Sequence, residues 1–347
     1  TRMGARQMDR LEAIRRARAG AGLILDPCSA GLHAPDHRWW GPHPINDVAG
    51  AQALGEHVMQ PLAAALDRLE ERVDILIAGT FQGSDWTAAC GHYCGFWNGD
   101  LFAIPASGAP AWLRFGRFER WHDGRIIETY EIFDLPGMMM QAGIWPLAPG
   151  LGRQLVSPGP ATRDGVVLEA SDPAEAEATL RLTEGMIAGL LAYDGRDFES
   201  MRMLDYWAPH MAWYGPAGIG TMRGYEDYRR GHGRPFVESF PDRRGALHKC
   251  RIAERSYCAS TGWPSVEATH EGGLFMGLPP TGKRVGMRVM DLWRAENGKL
   301  VENWVFIDLI HLLLQLGLDV YDRMARLHLG GDRPTRLQAF SSTIQTP

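Results

Sequence analysis

The chain has 347 residues, 45% of them apolar and 22% charged, with 41 acidic and 36 basic residues for a formal charge of −5. This length suits two ordinary domains with a core in each, and the balanced, unclustered charge excludes the basic footprint of a nucleic-acid binder or of a protein held on an anionic membrane. No apolar run approaches the roughly 18 residues that span a bilayer, no secretory signal is expected at the N-terminus, and five cysteines make no dense disulfide framework, so a cytoplasmic setting is expected.

Residues 9–25 read as a charged helix running into an apolar end. A loop rich in Gly, Pro and His follows, and it holds an aromatic strand around Trp39 that ends in a Gly-Pro turn. The helical stretch over 51–69 is interrupted at Pro61, which lacks the amide a helix interior needs. Two strand-like runs come next, VDILIAGTF and WTAACGHYCGFW, and then FGRFERW and IETYEIFD joined by a tight Asp-Gly turn. The spacing CGHYC places Cys90, His92 and Cys94 on one face of an extended segment, but no second ligand pair lies nearby, so ordinary buried thiols are favoured over structural zinc and no metal or other cofactor is expected. Pro- and Gly-rich residues 151–171 are read as a linker or strap after an N-terminal domain over 9–150. A C-terminal domain over 172–328 opens with Asp172 as N-cap, Pro173 at N1 and Glu175 at N3, and residues 329–347 read as a loosely held tail or an arm on a partner.

The segment 278–317 repeats 104–143 without a gap. Pro105/Pro279, Gly108/Gly282, Arg120/Arg294, Gly124/Gly298, Glu128/Glu302, Asp134/Asp308, Gln141/Gln315 and Gly143/Gly317 all stand 174 residues apart. The same offset pairs Trp39 with Trp213, Gly41 with Gly215 and Pro61 with Pro235, while His92 is matched to His270 at an offset of 178. A duplication follows. Each copy is expected to be α+β, with helices first and then a run of mostly antiparallel strands curved around them to leave a pocket at the open end.

The motifs ATHEGGLFMGLPPTGKRVGMRVMDLWRAENGKLVENWVFIDLIHLLLQLG, GPAGIGTMRGYEDY and FVESFPD resemble the SnoaL-like polyketide cyclase and ester cyclase branch of the NTF2-like superfamily, and the first half resembles it more weakly. The resemblance implies two tandem NTF2-like cone domains and a cofactor-free aldol closure of a polyketide ester, in which a carboxylate in an apolar pocket moves a proton and a histidine stands near the enolate. Asp291 is the nearest match to that carboxylate, and Arg117 occupies the aligned first-half position.

Period-two alternation puts Met287, Asp291 and Trp293 on one face of a strand, where an aspartate among apolar neighbours acquires a pKa useful to a general base. Asp291 as base and His270 as enolate stabiliser are the catalytic candidates, against an Asp291 at the mouth or on the outer face bound to backbone or an arginine and a His270 that is a satisfied core or rim group. Further pocket candidates are Trp213, Tyr214, His210, Met287, Trp304, Asp308 and Glu302 in the second half and His92, Trp39, Tyr130, Asp134 and Glu128 in the first. For Glu302 and Glu128 a bridge to Arg294 and Arg120 competes with a pocket role, and for Asp308 and Asp134 a helix cap does. The function expected is a cyclase, isomerase or lyase acting through an enolate on a small hydrophobic carbonyl compound. A non-catalytic binder of an apolar ligand and a hydrolase or dehydratase stand as alternatives. The two domains are expected to pair within the chain through their sheets, which leaves room for a homo-oligomer.

Overall fold

The computed structural model describes residues 2–154, 156–328 and 330, so the tail expected over 329–347 lies outside the described residues apart from Gly330. Helix α1 (Arg2–Ala21) stops earlier than the hydrophobic pattern suggests, because Gly22 turns into the left-handed region at φ 54°. The first half continues through β1 (His33–Trp40), β2 (Asp47–Ala49), α2 (Ala51–Leu54), a π-helical turn (Gly55–Met59), α3 (Gln60–Ala65), β3 (Leu66–Phe81), β4 (Ser84–Trp97), β5 (Pro110–His122), β6 (Arg125–Phe133) and α4 (Leu135–Gln141). The second half runs α5 (Pro173–Leu191), β7 (Trp207–Tyr214), β8 (Thr221–Arg223), α6 (Tyr225–Tyr228), a second π-helical turn (Arg229–Gly233), α7 (Arg234–Ser239), β9 (Arg244–Gly245), β10 (His248–Glu254), β11 (Tyr257–Thr269), β12 (Arg284–Glu296), β13 (Lys299–Ile307), α8 (Leu309–Leu316) and α9 (Val320–His328).

Two sheets result, ordered β2-β1-β6-β5-β4-β3 and β10-β11-β12-β13-β7-β8, with β9 paired to β11. The two α+β units fit a duplication, but the expected curved cones are not formed: neither sheet is closed or strongly curled. The aromatic strand precedes the short helices and pairs in parallel with the last strand of its own unit, β1 on β6 and β7 on β13. Towards the middle of each sheet both faces are buried. In β6, Phe133 packs into the first half's own core, while Tyr130 and Ile132 meet Trp304 and Phe306 of β13 in a core between the sheets. Val305 and Ile307 turn to the second half's core. Two sheets packed face to face share a core of interdigitated side chains.

The repeated residues build this pairing twice over. Asp134 caps α4 through Gly137 N and also accepts from Ala217 N of the other half at 2.9 Å. Asp308 caps α8 through His311 N and accepts from His43 N of the other half at 2.9 Å. Arg114 donates across the seam to Gly215 O at 3.0 Å, and Arg288 donates to Gly41 O at 3.3 Å. Residues 41 and 215, 43 and 217, and 114 and 288 are each 174 apart, so the seam is self-complementary in the manner of a two-fold dimer. Gln141 ties off the backbone of Trp112 through both its amide atoms, and Gln315 does the same to Gly286. Arg120 holds Glu128 at 2.8 Å and Arg294 holds Glu302 at 2.5 Å across the two hairpins. The Pro- and Gly-rich connection is an ordered strap: Arg153 pairs with Thr221 of the second half, Gly165 and Val167 pair with Leu76 of the first, and Trp304 donates to Pro158 O.

Asp308 also accepts from Arg288 at 3.1 Å, whereas no cation lies within salt-bridge distance of Asp134 among the described residues. Asp134→Ala is therefore expected to cost about 1–2 kcal/mol, the value of a cap. Asp308→Ala is expected to cost roughly 3 kcal/mol because it also strands a largely buried guanidinium. Urea denaturation of the two variants checks the order.

Candidate functional site

The inward face of β12 and β13 in the second half borders a cavity of about 300 Å³ that α5 and the second π-helical turn also line. Its walls are apolar, among them Met287, Trp213, Trp207, Phe198 and Trp293. Asp291 is half-buried and lines this space. Its carboxylate accepts from Asn303 Nδ2 at 3.2 Å, a diagonal cross-strand contact, and among the described residues no Arg, Lys or His lies within salt-bridge distance of it. Burial, opposed only by the Asn303 hydrogen bond, pushes its pKa from 3.8 up to about 7.

The π-helical turn supplies the facing wall. A Cβ on Gly231 would come within 2.7 Å of Met222 Cε, and one on Gly233 within 2.7 Å of the Phe198 ring, so two glycines let the turn sit close and carry His232 against the cavity. The His232 ring stacks on Trp213 at 4.2 Å and 20°. Burial pushes its pKa down to about 3, so at neutral pH it is an uncharged imidazole with an N–H to donate. Tyr228, 5.8 Å from His232 between ring centroids, has its phenol pushed up by burial and then by Asp291.

The structure brings together Asp291, Met287 and Trp213 of the expected residues. His270 does not line the cavity. It is fully buried against Phe240, 5.3 Å away between rings, and its backbone pins the loop before β12 through His270 N to Lys283 O and Gly282 N to His270 O. Trp97 does the same in the first half, through Trp97 N to Ala109 O and Gly108 N to Trp97 O. Strand register thus equates His270 with Trp97 rather than with His92. A bulge between Gly262 and Val266 gives β11 two residues more than β4 has at the equivalent place, and His92 falls opposite Arg114, in a second cleft that Asp134 also lines.

Tyr214, Trp304 and Tyr130 pack between the sheets. Glu302 sits under the strap, accepting from Tyr214 and Ala161 N as well as Arg294, and Glu128 is on Arg120. His210 is exposed on β7. Asp308 and Asp134 are the two caps at the seam. Trp39 donates to Glu131 in the first half's interior, at 3.0 Å. There Arg18 of α1 and Arg117 bind Glu71 at 3.1 and 2.7 Å and Glu119 at 2.9 and 3.1 Å. Tyr93 and Trp39 satisfy Glu131, leaving a space of about 30 Å³. Asn303, His232 and Tyr228 were missed from the sequence. Their signal lay in the repeat: at an offset of 174 they face Thr129, Val58 and Leu54, so they differ between the copies as Asp291 and Arg117 do. Among the described residues no group of three or more His, Cys, Asp or Glu is placed to hold a metal ion, and no helix is long and apolar enough to cross a membrane.

The second half is thus an α+β unit with one carboxylate in an apolar chamber. Residues 191–316 match the SnoaL-like polyketide cyclase family, so the second half of the chain is similar to that family over this stretch. Among solved structures it is similar to AclR of Streptomyces galilaeus (28% identity over 41% of this chain and 97% of that one, TM-score 0.34). It is also similar to IdmH of Streptomyces antibioticus (27% identity, 40% and 99%, TM-score 0.31). A SnoaL-like protein of Jannaschia sp. CCS1 is a third (17% identity, 41% and 93%, TM-score 0.36). No curated protein matches the chain.

Proposed function

We propose that the second half is a cofactor-independent cyclase, isomerase or lyase acting on a hydrophobic carbonyl compound. The observation that carries this reading is the lone Asp291 carboxylate, bonded only to Asn303 on the wall of a chamber of aromatic and methionine side chains. A carboxylate so placed is a strong enough base to take a proton from carbon next to a carbonyl, and as the acid it can return that proton. The C–H electron pair passes into an enolate, whose oxygen needs a donor. Neutral His232 and the Tyr228 hydroxyl are donors bordering the same space. Closure of a ring follows if the enolate carbon adds to a second carbonyl and the resulting alkoxide takes up the proton. Isomerisation follows if the proton returns to another carbon.

The first half carries no such base. Arg117 occupies the position of Asp291, and its interior is filled with paired charge. The test is solvent exchange: the protein is incubated in deuterium oxide with a panel of aryl β-keto esters and β-keto acids, and deuterium at the activated carbon is read by mass spectrometry. Protein-dependent exchange supports the reading. Saturable binding of the same compounds without exchange favours a non-catalytic binder instead.

A further inference from the structure

The cavity that holds Asp291 also holds a cation, and the two are not partners. Arg243, between α7 and β9, is half-buried on the cavity wall. Its Nη2 donates to Leu190 O at 2.6 Å and to Met201 Sδ at 3.3 Å, and its guanidinium lies 5.0 Å from the centre of the Tyr193 ring. Among the described residues no carboxylate lies within salt-bridge distance, and the remaining donors, Nε and Nη1, make no hydrogen bond to protein. Arg251, the other arginine on this wall, is paired with Glu184 at 3.2 Å. Burial pulls the pKa of Arg243 below the usual arginine value, yet a guanidinium remains charged at any physiological pH. Asp291 and Arg243 both act on the Tyr228 phenol, the first opposing its ionisation and the second favouring it, so both lie within electrostatic reach of one side chain.

A half-buried cation without a counter-ion loses part of its hydration with no partner to offset the loss, and on the wall of a ligand cavity it is placed to pair with the ligand. We propose that the ligand of this cavity is a carboxylic acid bound as its anion, with the carboxylate on the free donors of Arg243 and the apolar body filling the chamber. Placing the ligand's reacting carbonyl at Asp291 rests on the proton-transfer reading above; the carboxylate anchor does not. A planar carboxylate suits the guanidinium fork because it can accept two parallel N–H bonds. The neutral ester of the same acid keeps the apolar contacts and loses the charge, so it should bind more weakly.

The experiment compares 2-naphthoic acid with methyl 2-naphthoate by equilibrium dialysis against the full chain at pH 8, in the parent and in Arg243→Gln and Arg243→Lys. The parent is expected to bind the acid at least about tenfold more tightly than the ester, the effect of one charge-assisted pair. Arg243→Gln should abolish that preference while leaving ester binding unchanged, and Arg243→Lys should keep part of it, because the charge survives and the fork does not. Circular dichroism confirms that each variant is folded; should the Gln variant not fold, the parent's preference and its partial loss in the Lys variant decide. Equal binding of acid and ester by the parent, a preference that persists in Arg243→Gln, or no binding of either compound overturns the proposal. Acid-selective binding with no α-proton exchange on any keto compound would instead remove the proton-transfer reading and leave the anchor standing.

Discussion

Asp291→Asn is expected to lower kcat for α-proton exchange at least about 100-fold, the usual contribution of a positioned general base, and at the same time to make the protein more stable above pH 7. Both effects have one cause. Burial in the apolar chamber disfavours the charged carboxylate and pushes its pKa from 3.8 to about 7. The folded state then holds the proton over a pH range in which the unfolded chain has released it. Stability from this group is therefore full below about pH 4, falls as pH rises towards 7, and stays low above it. The shift corresponds to about 4 kcal/mol as an upper bound, and water in a half-open cavity screens part of it, so about 2 kcal/mol is the expected gain for the uncharged asparagine at pH 8. At pH 4 parent and variant should melt alike. In the parent, kcat/KM should rise with pH to a plateau with a midpoint near 7, because only the ionised carboxylate accepts a proton. Thermal melts at pH 4 and 8, with exchange rates across that range, check each limb. Unchanged exchange in the asparagine variant would remove Asp291 as the base.

How far the site was legible follows from which residues the two copies share. Those at the constant offset, Asp134/Asp308, Glu128/Glu302 and Gln141/Gln315, resolve into caps, hairpin bridges and edge ties. A seam with internal two-fold symmetry needs the same groups twice, so identity between copies pointed to the seam rather than to a pocket. Tyr130 and Trp304 were mistaken for pocket walls for that reason: period two gives the two faces of a strand but not which face meets the helices and which the other sheet. Pairing of the two units through their sheets was expected, but the open, uncurled sheets were not. Asp291 was legible as the position where the copies differ in charge. His232 was marked only by its difference from Val58, because its side chain is aimed by a π-helical turn, and an extra residue in a helical turn leaves no mark in a 3.6-residue pattern. His270 misled because pairing like with like in the text set it against His92, whereas strand pairing sets it against Trp97, five residues further on.

At the position equivalent to Asp291 the opposite outcome is expected: Arg117→Met should destabilise the protein by about 3–5 kcal/mol, the cost of removing one partner from a buried ion network. Arg117 stands within salt-bridge distance of Glu71, Glu119 and Glu131, each of them buried, and donates to Tyr93 at 3.0 Å. Arg18 reaches only Glu71 and Glu119, so the variant leaves Glu131 with hydrogen bonds from Trp39 and Tyr93 but no cation. Glu131 already has its pKa raised by burial, and it would take up a proton, so the loss should be smallest in mild acid and largest near pH 8. Arg117→Asp, which copies the residue of the second half, should be worse still. It adds a fourth carboxylate to the three and opens no chamber, because the space there is only about 30 Å³ and is filled with paired charge. Urea denaturation of both variants at pH 5 and 8 measures this, with naphthoate binding by the second half as the control that should not move. A variant as stable as the parent would mean that the network's charges are already solvated, and with that the reason for regarding the first half as closed to substrate would go.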